Sequence, residues 1–205
     1  MKLIDLTHEF DDSMPVYPGD TVSQISYCSD IASAGCYVSQ VTTGMHTGTH
    51  IDGPLHVIEG GISLSEMPLE RFIGRGILID ARNKDRIDAD LLEDVRLKRK
   101  DIVLVMTGCS AEFRATSYYR DYPAVTVRFA EVLVKAGVNM LGLDMPGPDG
   151  PPFAIHRLLL AAQVLIIENL TNLEALLAYP HFEVFALPVR FRTEAAPARV
   201  IAVIT

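Results

Sequence analysis

An α/β fold in one domain, with a mixed, largely parallel central sheet and a second, more antiparallel sheet, is predicted by three features of this 205-residue sequence. The second half alternates helical and extended segments. The first half has extended segments but few helical ones. No repeat, low-complexity tract or linker separates the halves, so residues 1–205 are expected to form a single domain. Alternation of helix and strand marks βαβ units, and these place strands in parallel.

The elements follow in order. Lys2–Leu6, Tyr37–Thr42, Gly76–Asp80, Ile102–Thr107, Met140–Asp144, Val164–Glu168, Glu183–Leu187 and Ala198–Ile204 are rich in Val, Ile, Leu or Phe and bounded by Gly, Pro or Asp, as strands are. Apolar residues recur at helical spacing in Asp88–Val95, Thr126–Ala136, Ile155–Ala162 and Leu173–Leu177. The run M-P-G-P-D-G-P-P at 145–152 is a loop, too short to link domains. Hydrophobic residues make up 49% of the chain, enough at this length to fill a substantial core.

Composition excludes several classes. Net charge is −8, and the densest basic run, Arg96–Lys100, is bounded by Asp94 and Asp101, so nucleic acid is not an expected partner. No apolar run approaches the roughly 20 residues of a membrane span. The opening M-K-L-I-D-L-T-H-E-F turns polar too early for a secretory signal, so a cytoplasmic location is expected. Cys28, Cys36 and Cys109 form no CxxC pair and read as reduced thiols, with only Cys109 near a plausible site edge.

Chemistry concentrates in M-H-T-G-T-H-I-D-G-P-L-H, where His46, His50, Asp52 and His56 fall within a few residues, taking three of the six histidines. Imidazole and carboxylate are the usual ligands of zinc, manganese or iron. Extended chain rises about 3.3 Å per residue, so His46 and His50 share an ion only if the chain bends between them. Glycines, threonines and a proline oppose a helix here. Gly44 and Gly48 can supply the positive φ of a tight bend. His50 and Asp52, two apart, face the same way on an extended segment. Pro54 biases Gly53 toward extended backbone. Further along, Glu168 closes an apolar strand. A carboxylate buried there needs a positive partner such as a metal; the alternatives are a strand-end glutamate in water, or one paired with an arginine such as Arg157. Asp80 and Asp144 also end strands; Asp144 reads as a turn cap.

The string His46-T-G-T-His50-I-Asp52-G-P-L-His56 resembles the signature of the cyclase family of metal-dependent hydrolases, which includes bacterial kynurenine formamidases and isatin hydrolases. The opening I-D-L-T-H-E-F with M-P-V-Y-P-G-D at 14–20 is similar to the family's N-terminal segment. The stretch from His156 to Glu168 is similar to the region supplying its remaining ligands. The resemblance implies a cyclase-like, swivelling-domain arrangement of β/β/α layers. It implies two divalent metal ions, zinc first, with manganese and iron served by the same ligand types. His46, His50 and Asp52 would hold one ion, and His156 and Glu168 the other. Asp52 and Glu168 would lie between the two. His56 would transfer protons, with a third-ligand or orienting role as its alternative.

The implied activity is hydrolysis of an amide-type C–N bond by metal-activated water. The substrate would be a small aryl formamide such as N-formylkynurenine, or a cyclic amide (lactam). The implied assembly is a homo-oligomer, dimer or tetramer. Tyr17 stands where kynurenine formamidases carry a substrate-stacking tryptophan, and this chain has none. Gly53 and Cys109 also depart from the family's common residues. Phe10, Tyr17 and Phe153 are candidate pocket walls, though core packing explains each as well. The competing classes are a metal-dependent small-molecule binding protein without turnover, and a lactone hydrolase or cyclase. A purely structural metal site fits less well, because no cysteine falls in the motif.

Overall fold

The computed structural model describes residues 1–204; Thr205, the last residue of the expected domain, lies outside the described residues. The strands are β1 (Lys2–Asp5), β2 (Gln24–Ser29), β3 (Val38–Thr42), β4 (His50–Asp52), β5 (Ile73–Asp80), β6 (Arg86–Ile87), β7 (Ile102–Met106), β8 (Ala124–Val125), β9 (Met140–Leu143), β10 (Leu165–Glu168), β11 (Phe182–Pro188) and β12 (Ala195–Ile204). The α-helices are α1 (Ile31–Ala34), α2 (Val127–Ala136) and α3 (Ala154–Ala161).

The main sheet runs β12-β11-β5-β7-β9-β10-β4 and returns from β4 to β12, so these strands form a closed, mixed, barrel-like ring. β5, β7, β9 and β10 are parallel neighbours. β11, β12 and β4 join antiparallel. One edge of β12 does two jobs. Its start, Ala195–Pro197, pairs with β4, and its end, Ile201–Ile204, pairs with β1.

The parallel strands are apolar on both faces because both faces are covered. Ile102, Leu104 and Met106 of β7 point into one core with Leu165 and Ile167 of β10 and Val184 and Ala186 of β11. Val103 and Val105 point the other way, into a second core with Phe129 and Leu133 of α2 and Ile155 and Leu159 of α3. α2 begins where the Thr126 hydroxyl accepts the Phe129 amide at 3.2 Å and ends at Gly137, in the left-handed conformation with φ 69°. Asp144, at the end of β9, accepts the Thr107 amide and hydroxyl and the Gly108 amide, a clamp on the loop after β7.

Two expectations are corrected. Asp88–Val95 and Leu173–Leu177 are not α-helices; they contain short 3-10 turns, Ala89–Leu92 and Leu173–Leu176. In each the backbone tightens into i→i+3 bonds, Leu91 N–H to the Asp88 carbonyl and Ala175 N–H to the Asn172 carbonyl, the geometry of a short 3-10 turn. The antiparallel strands do not form a large separate sheet from the first half, since most belong to the ring. What stands apart is the antiparallel β2–β3 hairpin and a short parallel β6–β8 pair. β4 was not legible as a strand, because three residues that include His and Asp carry no apolar run. Yet it closes the ring.

Candidate metal centre

β4 lies between β10 and β12, and this wedge assembles the site. Glu168 sits opposite His50, and Asp52 opposite Ile166 and Ala195. Ahead of β4 the chain turns at Gly48, whose φ of +66° suits glycine; a Cβ there would also approach Met14 Cε to 3.0 Å. Gly44 has no positive φ, so the bend is carried by Gly48 alone of the two. The His50 Nδ1–H points at the Gly48 carbonyl, 2.8 Å away, which leaves Nε2 facing the cluster. Asn169 Nδ2 donates to the same carbonyl at 2.9 Å. Extended backbone at Gly53 (φ −109°) leads into a 3-10 turn over Pro54–His56. That turn folds His56 back until its ring lies 4.3 Å from that of His46.

α3 delivers His156. Its first-turn amides are met by Asp149 from the preceding loop, which accepts the Ile155 amide at 2.8 Å and the His156 amide at 3.3 Å. The same carboxylate takes His156 Nδ1 at 2.5 Å, so Nε2 faces Glu168 Oε1 at 3.2 Å. A carboxylate behind a histidine in this way fixes its tautomer and orientation.

All six residues singled out in the sequence as metal ligands or proton carrier come together. Asp52 Oδ1 is 2.9 Å from His46 Nδ1 and 3.4 Å from His50 Nε2. Asp52 Oδ2 is 3.9 Å from His156 Nε2, and Glu168 Oε2 is 3.3 Å from His50 Nε2. Two overlapping sets have donor atoms close enough to share an ion: His46, Asp52 and His56, and His50, Asp52 and Glu168. Asp52 is common to both. Proximity here is not hydrogen bonding: His50 Nε2 and both Asp52 carboxylate oxygens are buried with no hydrogen-bond partner among the described residues. Buried polar atoms without partners cost free energy unless something else satisfies them. A divalent cation with nitrogen and oxygen ligands fits this donor set. Beside it, a Cβ on Gly147 would lie 2.7 Å from Glu168 Oε1, so the glycine leaves space for that carboxylate.

Charge completes the picture. Burial alone would push the His50 and His156 imidazoles down, but the carboxylates beside them raise both to about 10. Burial opposes ionisation of Asp52 too, yet His46 and His50 hold it well below the usual carboxylate range. Glu168 is lowered against burial and the Asp52 charge by His156 and His50. His56 is lowered, by burial first and then by the neighbouring His46 and His156. The carboxylates therefore favour the protonated form of His50 and His156, and a metal would displace these protons.

The cluster forms the floor of a cavity of about 250 Å³ walled by Tyr17, Tyr119, Tyr122 and Phe153. Tyr17 packs edge-on to Tyr119, with centroids 5.7 Å apart. Phe10 instead packs with Met14 and Phe113. Arg157 does not reach Glu168; it binds the Val57 carbonyl. Cys109 packs in the cores, where burial pushes its thiol up. Two wall residues, Tyr119 and Tyr122, escaped the sequence reading, as did Asp149, Asn169, and Glu194, whose Oε1 lies 3.6 Å from His46 Nε2. Asp149 alone had a local signal, an acid just ahead of a helix that carries a candidate ligand.

A ring of strands that closes over paired carboxylates and four imidazoles defines a class of protein whose donor set is fit to hold a divalent cation. The model of the Cyclase family, described as "Putative cyclase", matches residues 4–150. The chain belongs to that family. It is 33% identical over 147 residues to the kynurenine formamidase of Geobacillus thermodenitrificans (strain NG80-2), covering 71% of this chain and 69% of the relative. It is 29% identical over 207 residues to the kynurenine formamidase of Bacillus cytotoxicus, covering 97% and 95%. Isatin hydrolase A from Labrenzia aggregata superposes with a TM-score of 0.87 over 100% of this chain and 94% of that one; at 24% identity this likeness speaks for the fold. No helix among the described residues is long and apolar enough to cross a membrane.

Proposed function

We propose that this protein hydrolyses the C–N bond of a small non-peptide amide, an aryl formamide such as N-formylkynurenine or a lactam, with two divalent ions of which zinc is the first choice. The observation that carries the reading is Asp52. It is buried, has no hydrogen-bond partner among the described residues, and is shared by both sets of donors at the floor of an aromatic-walled cavity. His46, His50 and Asp52 are assigned to one ion and His156 and Glu168 to the other, with Asp52 and Glu168 between them. When bound, such ions make water available as a nucleophile near neutral pH and polarise the amide carbonyl.

The chain's own residues do the rest. His56 sits at the cavity wall, and burial favours its neutral form, so it can accept a proton from water and return it to the leaving nitrogen. Tyr17 and Phe153 present faces or edges to a flat substrate. Asp149 and the Gly48 carbonyl hold His156 and His50 with their Nε2 atoms inward. The β/β/α layering is part of this reading, supported by one core inside the ring and a second under α2 and α3. Homo-oligomeric assembly is part of it too.

A second reading of His56 has a specific observation behind it. His56 falls within ligand reach alongside His46 and Asp52, which would make it a ligand. One experiment serves both questions. Metal content is measured on wild-type and His56→Ala protein, and hydrolysis is assayed on a panel of aryl formamides, lactams and lactones. Two bound ions in both proteins, with turnover lost only in the variant, supports His56 as proton carrier. Loss of an ion in the variant supports it as ligand. Metal-loaded wild type inert to the whole panel refutes the hydrolase reading.

A further inference from the structure

The two innermost histidines are held by supports of unequal stiffness. Behind His156 stands the Asp149 carboxylate, itself fixed by two amides of α3. Behind His50 stands only a backbone carbonyl, that of Gly48, in a turn at φ +66°. Glycine has the widest backbone freedom of any residue and no side chain to anchor it. Left alone, that carbonyl would let the His50 ring swing. A carbonyl oxygen has two lone pairs. One takes the His50 Nδ1–H at 2.8 Å, and the other takes an N–H of the Asn169 side chain at 2.9 Å.

Asn169 is built for this contact. It directly follows Glu168 and turns the chain at φ +56°, a region that asparagine enters more readily than most other residues with a side chain. It is buried, and its polar groups are engaged on several sides. The backbone N–H donates to the Met145 carbonyl at 3.2 Å. The backbone carbonyl accepts the Thr49 hydroxyl at 2.6 Å. The residue therefore grips both positions ahead of His50, Gly48 through its side chain and Thr49 through its main chain. Its Oδ1 accepts the buried Tyr118 hydroxyl at 2.8 Å. That bond sets which way the amide faces. A flipped amide would bring Oδ1 against the Gly48 carbonyl, two acceptors with no proton between them. Tyr118 in turn packs edge-on to the cavity-wall residue Tyr119, centroids 5.1 Å apart.

We infer that Asn169 is a positioning residue for the metal centre: aimed by the Tyr118 hydroxyl, its amide braces the Gly48 carbonyl and so holds His50 Nε2 toward Asp52 and Glu168. The chain of contacts runs from the aromatic wall to the floor of the cavity through one side chain. It also ties Glu168 and His50, which face each other across β10 and β4, at the end of their shared register. This inference rests on the metal-centre reading above.

The test uses the full chain with zinc as the probe. Asn169→Gly removes the amide and keeps a residue at ease at positive φ. Tyr118→Phe removes the hydroxyl and keeps Asn169. Zinc affinity is measured per folded chain by competition with a chelator, beside urea unfolding. Asn169→Gly should weaken the His50 ion by about tenfold, the lower end of the effect of losing a ligand's outer hydrogen-bond partner. Tyr118→Phe should weaken it less, and the double variant should match Asn169→Gly, because Tyr118 acts through the amide. Nitrogen-15 spectra of the zinc-loaded protein give a readout that packing alone would not move. The His50 Nδ1–H should exchange slowly with solvent in wild type and faster in Asn169→Gly. Reduced stability with wild-type zinc affinity and an unchanged His50 signal would make Asn169 a packing residue and overturn the inference. Additive losses in the double variant would overturn the part given to Tyr118. A wild type that binds no zinc, manganese or iron overturns the metal-centre reading itself, and this inference with it.

Discussion

Asp149 offers the sharpest test of how the centre is held. Its Oδ1 takes the His156 Nδ1–H at 2.5 Å, and its two oxygens also meet the amides of Ile155 and His156. Asp149→Asn keeps the size and one acceptor oxygen. The amide can instead turn an N–H toward His156 Nδ1, which moves the imidazole proton to Nε2, the atom facing Glu168 and Asp52. Loss of such an orienting carboxylate weakens metal binding by about 10–100-fold, or roughly 1.4–2.7 kcal/mol. Asp149→Ala also leaves the start of α3 uncapped, so about 1 kcal/mol of stability should go as well. The assay is competition with a chelator of known affinity, read as metal retained per chain, alongside chemical unfolding. Asp149→Asn should lose one ion's affinity with near-wild-type stability, and kcat should recover in part at saturating metal. Wild-type affinity for every ion in both variants would refute the idea that Asp149 sets the His156 tautomer.

Two further predictions concern packing and pH. Gly147→Ala puts a methyl 2.7 Å from Glu168 Oε1, in a buried site that cannot yield freely. It should cost about 1–3 kcal/mol in unfolding free energy together with metal affinity; wild-type values for both would disprove the steric claim. His8, stacked on Phe113 at 3.8 Å, is held down to about 4, by burial first and by Arg114 second. Its folded value lies below its ordinary 6.5, so neutral His8 contributes stability that is complete above pH 6.5 and lost as pH falls through 4. The full shift would be about 3 kcal/mol, reduced to about 1–2 kcal/mol by the solvent that still reaches the ring. Urea unfolding of wild type and His8→Phe at pH 7 and pH 4.5 reads the difference, and parallel losses in both proteins would show that His8 is not the group responsible.

The legible parts of this protein were those whose signal is local. His46 through His56 could be grouped on the page because a glycine bend and a proline turn, both written into the same short segment, bring them together. Glu168 stood out because its neighbours are apolar and its burial needed a partner. Asp80 ends a strand in the same way, yet it is exposed and paired with Arg82 at 2.6 Å, so strand-end position alone did not separate the two. The parallel strands were legible because burial on both faces makes them continuously apolar. β4 was not, because its pairing partners, Ile166–Glu168 and Ala195–Pro197, lie far away in sequence. Glu194 and Asn169 were invisible for the same reason: each meets the centre only through ring closure.

That closure orders events in time. His50 is made early, but its pairing partner Pro197 is made well over a hundred residues later. Contacts so remote in sequence form slowly. Until β10 has left the ribosome and paired with β4, the imidazoles of the first segment and the carboxylate of Glu168 have no shared pocket; β12 then seals the other edge of β4. Cation capture thus waits for a strand made more than a hundred residues after His50, and a nascent chain stalled before residue 165 should pass through a metal-rich cell without loading.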